Sequence, residues 1–514
     1  VIKKLIQSEL PTPAALLFSL LSGVLLTLGF DPFDYWYVIF IGCALFLSLL
    51  IQKKGKCSFW LGFSFGLGWF GAGISWVHVS IEQFGGLPLI GSLGLMLLLC
   101  AYLAIYPALL SWTVCRYFIP AKWPLVLPLL WCAMEWLRSW VFTGFPWLSL
   151  GYSQLNSPLT GWLPVIGETG VSGLVILLSA TFAYGLVHQR WITTAVTCVS
   201  VLVSGLVLNQ ISWTQPTGET VKMAMVQGNI PQDLRWTPEQ DAPTMQKYWD
   251  LTEPLWHENE VVIWPEAAVP QLEPIANDYL RQLDLQAAES QTGLITGIVN
   301  YNFETQQAFN TMLGLGVQNP DDAQAQYYYG HNNRFEKHHL LMIGEFIPFE
   351  DWLRGLAPIF DLPMSSFTRG DYLQANLLAN GQYFSAALCF EIVFPRQVRA
   401  NVYSHTDFLI TLSNDAWFGN SHGPDQHMQI AQVRAKELGL PLVRSTNNGI
   451  SGFVDHKGQM LSQLPQFEDG VLQQSMQKMS GTTPYRHFGD LLMWLIFIGF
   501  FVLAWWKLPN TAFR

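Results

Sequence analysis

Residues 384–394 read FSAALCFEIVF, an apolar run that holds one thiol and one carboxylate two positions apart. A short apolar run bounded by Gly, Pro, Asn and Asp clusters has the character of a strand covered on both faces. Four more segments of the same region share it: VKMAMVQGNI (221–230), EVVIWPEAAVP (260–270), TGLITGIVNY (292–301) and TDFLITLSNDAWF (406–418). Among them, DAPTMQKYWDLTEPLW (241–256), PIANDYLRQLDLQAAES (274–290) and DQHMQIAQVRAKELG (425–439) carry helical spacing. Strands alternating with helices predict layered sheets with helices outside. A region of about 270 residues is large enough to bury one such core.

On either side of this region the chain changes character. Half of the 514 residues are hydrophobic and 12% are charged, about half the share usual in soluble proteins. A stretch of about 20 apolar residues can cross a bilayer. Candidates lie at 12–30, 35–52, 57–81, 87–118, 123–142, 167–188, 191–213 and 488–507, which predicts an eight-span helical bundle. The expected division is a seven-span region over 1–213, a polar domain over 214–487, and a last span with its tail over 488–514. Gly62, Gly66, Gly68, Gly71 and Gly73 in the third span suit close helix packing, and Pro107 marks where the long fourth span bends.

Lys and Arg in the short loops set the orientation. Lys3, Lys4, Lys53, Lys54, Lys56, Arg116, Lys122, Arg190, Lys507 and Arg514 all fall on one side of this arrangement. The alternate loops, 31–34, 82–86 and 143–166, contain neither residue type. Both termini are therefore expected in the cytoplasm and the polar domain outside, which in a bacterial inner membrane means the periplasm. The net charge of −10 and the lack of a basic stripe argue against nucleic acid as a partner.

An outward domain lies in a compartment that favours disulfides, yet Cys389 is its only cysteine. A lone thiol there reads either as a small buried hydrophobe or as a reactive group. A cysteine nucleophile needs a base and a donor for the developing oxyanion. Other strand ends supply polar groups: Glu266 where VVIWPEAA stops, and Asn414, Asp415 and Trp417 in LSNDAWFG. Lys337 and Glu345 lie in NRFEKHHLLMIGEFIP (333–348), and Glu391 is expected on the strand face of Cys389. Taken singly, each also reads as an ordinary surface charge, cap or ion-pair partner. His422, Asp425 and His427 have no established ligand spacing, so no metal is expected.

The stretches WPEAAVP, EKHHL with GEFIP, CFEI and SNDAWFG resemble the glutamate, lysine and cysteine motifs of the nitrilase superfamily. TGFPWLSLGYSQ (143–154), MVQGNIPQDLRW (225–236), FDLPMSSFTRG (360–370) and LVRSTNNGISG (442–452) narrow the likeness. Together they resemble the apolipoprotein N-acyltransferase family of Gram-negative bacteria, over essentially the whole chain. The resemblance implies an αββα sandwich inserted between spans seven and eight. It implies Glu266 as general base, Lys337 as oxyanion-stabilising cation and Cys389 as nucleophile, with Glu345 in support. Trp236, Asn310, Phe390 and Glu391 stand where that family has residues important for activity or substrate binding. Phe390 replaces the family's usual tyrosine, and Met342 an expected proline.

The implied activity is phospholipid-dependent N-acylation of the N-terminal diacylglyceryl-cysteine of apolipoproteins, the last step of bacterial lipoprotein maturation. It would run through a Cys389 thioester, without metal or organic cofactor. The donor is expected to be phosphatidylethanolamine, the acceptor a diacylglyceryl apolipoprotein, and the protein a monomer. FEDWLRGLAPIFDLPMSSF (349–367) is rich in aromatic and aliphatic residues for a polar domain. It is expected to form an arm that dips toward lipid and covers the thiol. Glu135 and Arg138, three apart in the fifth span, read as a structural pair or as a phospholipid headgroup contact.

Overall fold

The computed structural model describes residues 12–51, 56–84, 86–232, 234, 237–322, 324–342, 344–346 and 367–507. All of the expected arm but Phe367 (Trp352 and Phe360 among its residues) and Trp236 lie outside the described residues; Phe367 is buried against Val299 and Leu340. Contacts divide the described chain into two units. One is helical and runs to Glu82, over Leu87–Trp213, and from Thr483 onward; the other comprises Thr214–Thr482 with Gln83–Gly86.

The helical unit begins with α1 (Thr12–Leu25), α2 (Trp36–Leu50), α3 (Lys56–Gly73), α4 (Val77–Phe84) and α5 (Leu89–Tyr117). It continues with α6 (Trp123–Arg138), α7 (Leu163–His188) and α8 (Trp191–Leu208). Among the described residues, three helices are long and apolar enough to cross a membrane: Leu89–Tyr117, Pro158–His188 and Trp191–Leu208. A fourth arises if Cys57–Gly73 and Val77–Gln83, bent by 57°, count as one span; Pro13–Gly29, Trp36–Leu50 and Leu491–Trp506 are shorter apolar helices. The expected third span is thus a bent pair, and the expected fifth is a helix of 16 residues. Small residues bring these helices together. A Cβ on Gly62 or Gly66 would collide with Pro107 and Ala104 of α5, and one on Gly68 with Leu20 of α1.

Glu135 and Arg138 are both buried. The Arg138 guanidinium donates to the carbonyls of Phe145 and Trp147, both at 2.6 Å, and to Ser149 Oγ at 3.2 Å. It also lies over the Trp69 and Phe70 rings. Glu135 Oε1 accepts from Trp131 Nε1 at 2.9 Å and from Leu150 N at 3.2 Å. The pair therefore binds the 145–150 turn, in which Leu148 is left-handed, and the structural reading is the one observed.

The second unit is built from two sheets. Among the described residues, the first runs β13-β1-β2-β4-β5-β6, with β3 paired to β4; the second runs β12-β11-β10-β9-β8-β7. The strands of the first are β1 (Thr214–Gln227), β2 (Val261–Ile263), β3 (Val269–Leu272), β4 (Gly293–Asn302), β5 (Gln307–Gly316), β6 (Arg334–Glu336) and β13 (Gly470–Gly481). Those of the second are β7 (Leu377–Ala379), β8 (Gln382–Leu388), β9 (Phe408–Ser413), β10 (Leu442–Thr446), β11 (Gly452–Val454) and β12 (Met460–Gln463).

Alternation explains the layers. Met223 and Met225 of β1 join Ile263, Phe384, Leu388, Ile410 and Val443 in the core between the sheets. Ala224 and Val226, on the other face of β1, pack with Tyr248, Leu280 and Leu283. Those last residues come from α9 (Pro238–Thr252) and α10 (Asn277–Glu289). On the second sheet lie α11 (Pro395–Ala400) and α12 (Gly423–Leu438), which contact β8 and β10. With both faces covered, the parallel strands read as continuous apolar runs rather than alternating ones. The result is the expected αββα sandwich. After it, α13 (Pro484–Phe488) and α14 (Leu491–Lys507) belong to the helical unit.

Three expected strands are shorter than the runs that predict them; the run 406–418 is a strand only over Phe408–Ser413 and continues as a 3₁₀ turn over Asp415–Phe418. The run 260–270 breaks after Ile263, because Pro265 has no N–H to give and Ala267 is left-handed (φ 44°). The run 384–394 stops as a strand at Leu388; Cys389 is left-handed (φ 51°) and opens a 3₁₀ turn over Cys389–Val393. Glu391 is therefore not on the strand face of Cys389 but on this turn.

Candidate active site

Chemically useful side chains gather where parallel strands end, the usual place for a crevice in an open α/β sheet. Glu266 follows β2, Cys389 follows β8, and Ser413 closes β9. The neighbouring strands of the first sheet bring Asn310 on β5 and Lys337 just past β6. Glycine makes room at the first of these ends. A Cβ on Gly297 of β4 would collide with the backbone of Pro265, Glu266 and Ala267. Gly297 N also donates to Pro265 O at 3.2 Å, which seats the bend that carries Glu266.

Around Lys337 the groups are tightly bound. Its Nζ lies 2.7 Å from Glu345 Oε1 and 3.9 Å from Glu266 Oε1. Asn310 Nδ2 donates to both carboxylates, at 2.8 Å to Glu266 Oε1 and 3.1 Å to Glu345 Oε1. Lys337 N donates to the carbonyl of Asn310, which joins the two strands behind the cluster. Glu345 Oε2 accepts from Leu341 N at 2.8 Å, so its turn is closed by its own side chain even with Met342 in place of proline. Lys337 is 2% exposed, and a lysine so placed stays charged only with company. Burial alone would lower its pKa, but Glu345, Cys389 and Glu266 outweigh that and hold it above the ordinary lysine value.

Glu391 ties the thiol to the segment after Lys337. Its Oε1 accepts from His338 N, His339 N and Gln397 Nε2 at 2.8, 3.0 and 2.7 Å. Its Oε2 accepts from Leu388 N at 2.8 Å, taking over the N–H of the residue where the strand ends. Burial raises the Glu391 carboxyl against the pull of these donors. Phe390 is buried and meets Phe394 edge-on at 5.2 Å, so its ring serves packing.

Cys389 itself is partly exposed. Its thiol is pushed up to about 12 by burial and by Glu266, against the opposing pull of Lys337. The resting group is therefore a thiol, with a carboxylate and an ammonium ion close enough to act on it in opposite directions. Asn414 Nδ2 donates to Gln232 Oε1 at 2.5 Å, and its Oδ1 accepts from Asn447 Nδ2 at 3.2 Å. Asn447 in turn holds both main-chain groups of Ile230. Asn414 thus fixes a neighbouring loop, while Trp417 stands half-buried on the Asp415–Phe418 turn.

Sequence reasoning missed the groups below the thiol: Ser413, Arg444 and the inward placement of Asp415 and His427. Arg444 offered a signal, since a cation within the apolar run of β10 must find a partner. His427 offered none, because α12 is buried almost throughout. Among the described residues no three His, Cys, Asp or Glu side chains are placed to hold a metal ion.

Comparison with known proteins gives matches in both units. The family profile described as Apolipoprotein N-acyltransferase N-terminal domain matches residues 22–181, and that described as Carbon-nitrogen hydrolase matches 222–485. An apolipoprotein N-acyltransferase of Vibrio vulnificus is 46% identical over 493 residues, covering 95% of this chain and 96% of that one. The corresponding protein of Haemophilus influenzae is 37% identical, covering 95% and 94%. A solved CN-hydrolase superfamily protein of Xanthomonas campestris aligns with a TM-score of 0.37 and 17% identity, over 50% of this chain and 91% of that one.

Proposed function

Because this chain belongs to the apolipoprotein N-acyltransferase family, we propose that it transfers an acyl chain from a phospholipid to the N-terminal amine of a diacylglyceryl apolipoprotein. Its apolar helices and its relatives are consistent with an inner-membrane protein. In this reading the helical unit crosses that membrane eight times as a monomer, with both termini cytoplasmic and the sandwich, inserted between spans seven and eight, in the periplasm.

The reaction proceeds in two halves. Glu266 takes the Cys389 proton as sulfur attacks the carbonyl carbon of a phospholipid ester, phosphatidylethanolamine being the expected donor. Lys337 lies where it can balance charge on the tetrahedral oxyanion. The C–O bond then breaks, the glycerol oxygen receives the proton from Glu266, lysophospholipid departs, and a thioester remains. In the second half the lipoprotein α-amine attacks the thioester, Glu266 takes an amine proton, and the C–S bond breaks. The proton returns to sulfur, so the enzyme ends as it began. No step calls for a metal or organic cofactor.

Water must be kept from the thioester for transfer to win over hydrolysis. Acyl chains gain about 0.8 kcal/mol per CH₂ from burial, which keeps both substrates in lipid and brings the chemistry to the membrane surface.

The observation that carries this reading is the linked set of Glu266, Asn310, Lys337 and Glu345, joined at 2.7–3.9 Å, of which Glu266 and Lys337 also act in opposite directions on the Cys389 thiol. The test is incubation of purified protein with phospholipid and a diacylated lipopeptide carrying a free N-terminal cysteine amine. N-acylated lipopeptide with an equal yield of lysophospholipid is expected. Free fatty acid without acylated peptide would make the protein a hydrolase instead.

A further inference from the structure

Beneath Cys389 lies a buried set of groups that this scheme does not use. Ser413 Oγ is 3.3 Å from Cys389 Sγ and 2.7 Å from Asp415 Oδ1. Asp415 Oδ2 accepts from Arg444 Nη2 at 2.8 Å, and the same nitrogen lies 2.9 Å from His427 Nδ1. His427 Nε2 is 3.1 Å from the carbonyl oxygen of Cys389. Ser413, Asp415, His427 and Arg444 are all at most 2% exposed. Gly449 leaves room for the Asp415 carboxylate, with which a Cβ would collide.

Donor and acceptor chemistry fixes the protons. A carbonyl only accepts, so His427 carries its hydrogen on Nε2. A guanidinium only donates, so His427 Nδ1 offers a lone pair. The imidazole is then neutral, in keeping with the downward pull of burial and Arg444 on its pKa. Burial would raise the Asp415 carboxyl, but Arg444 and Ser413 bring it well below the ordinary value, so it is ionised. Ser413 has one proton and two acceptors. A short bond to an ionised carboxylate is the stronger one, so beside a neutral thiol the hydroxyl points at Asp415 and turns a lone pair toward sulfur. Beside a thiolate the same O–H has a second anion to serve, while Arg444 still compensates Asp415.

We propose that Ser413 is a two-position donor to the nucleophile, held on Asp415 while Cys389 is a thiol and turned onto sulfur when it becomes a thiolate. Asp415, Arg444 and His427 are positioning residues. The ion pair sets the resting direction of the Ser413 hydroxyl, and His427 holds the carbonyl of the left-handed Cys389. The charged groups acting on the sulfur are Glu266, Lys337 and Asp415, so Ser413 joins Lys337 in opposing two carboxylates. The inference rests on Cys389 as nucleophile, but its test reads the thiol directly and does not require acyl transfer.

The experiment is iodoacetamide labelling of Cys389 in the purified full chain, followed by peptide mass spectrometry between about pH 7 and 10. It compares native protein, Ser413→Ala and Ser413→Thr. Loss of one hydrogen bond to the thiolate raises the thiol pKa, and the greater nucleophilicity of a more basic thiolate offsets about half of that, so Ser413→Ala is expected to label about threefold to tenfold more slowly at each pH below the thiol pKa. Ser413→Thr, which keeps the hydroxyl, is expected to label within about twofold of native. A Ser413→Ala profile that superimposes on the native one overturns the proposal. So does Ser413→Thr labelling as slowly as Ser413→Ala.

Discussion

Arg138 in the helical unit and Lys337 in the sandwich are both cations almost wholly removed from solvent. Both lie beside carboxylates, but only Arg138 follows an apolar run; Lys337 comes after the polar stretch GHNNRFE. Their partners differ. Arg138 donates to two main-chain carbonyls and a serine of one turn, and so acts as an internal brace. Lys337 makes one short bond, to Glu345, and also acts on a partly exposed thiol. Burying a charge is costly in either place. A buried charge therefore does not by itself identify a catalytic site; a reactive atom left open within its field does.

The comparison breaks most easily at the base. Glu266→Gln keeps the shape of the side chain and its place beside Asn310 but cannot take a proton. Acyl transfer is expected to fall about 10²- to 10⁴-fold. The same change removes a negative charge that raises the thiol, so the Cys389 pKa should fall and alkylation near pH 8 should become faster. Slower transfer with faster labelling is the signature; slower labelling would refute the electrostatic assignment.

Lys337→Met removes the cation and leaves Glu345 without its short ion pair. Turnover is expected to drop about 10²- to 10³-fold, with labelling shifted to higher pH because the pull that lowers the thiol pKa is gone. Arg138→Met gives the opposite pattern. Breaking its buried contacts should cost about 3–5 kcal/mol of stability, read as a lower melting temperature in detergent. The pH profile of Cys389 labelling in the surviving folded protein should not move. A moved profile would erase the distinction between the two cations.

Much of this was legible in the sequence, because strands buried on both faces write continuous apolar runs and because reactive groups sit where such runs stop. Glu266 and Cys389 stood out for that reason, whereas Lys337, taken singly, read as a loop charge and drew its role from the family resemblance. Strand ends were less legible. FSAALCFEIVF gives no warning that its last six residues leave the sheet, since the 3₁₀ turn buries Phe390, Ile392 and Val393 as fully as a strand would. The role of Glu391 was misplaced for the same cause: its partners lie at 338, 339 and 397, and only the folded chain brings them to it. Asp415, His427 and Arg444 come from three separate elements, and pairing across such distances leaves no local pattern.

Phe390→Tyr is expected to have the smallest effect. Its ring packs edge-on against Phe394 rather than on the Lys337 cluster. Restoring the hydroxyl should change acyl transfer by no more than about tenfold, since one neutral hydrogen bond contributes about 0.5–1.5 kcal/mol at most.

The central claim is that Cys389 carries the acyl group. Mass spectrometry of the protein after exposure to phospholipid alone, without acceptor, tests it most directly. A hydroxylamine-labile acyl adduct is expected on the peptide containing Cys389, absent from Cys389→Ala and discharged on adding diacylated lipopeptide. A Cys389→Ala protein that retains full transfer activity, or an adduct on another residue that the lipopeptide discharges, would contradict it.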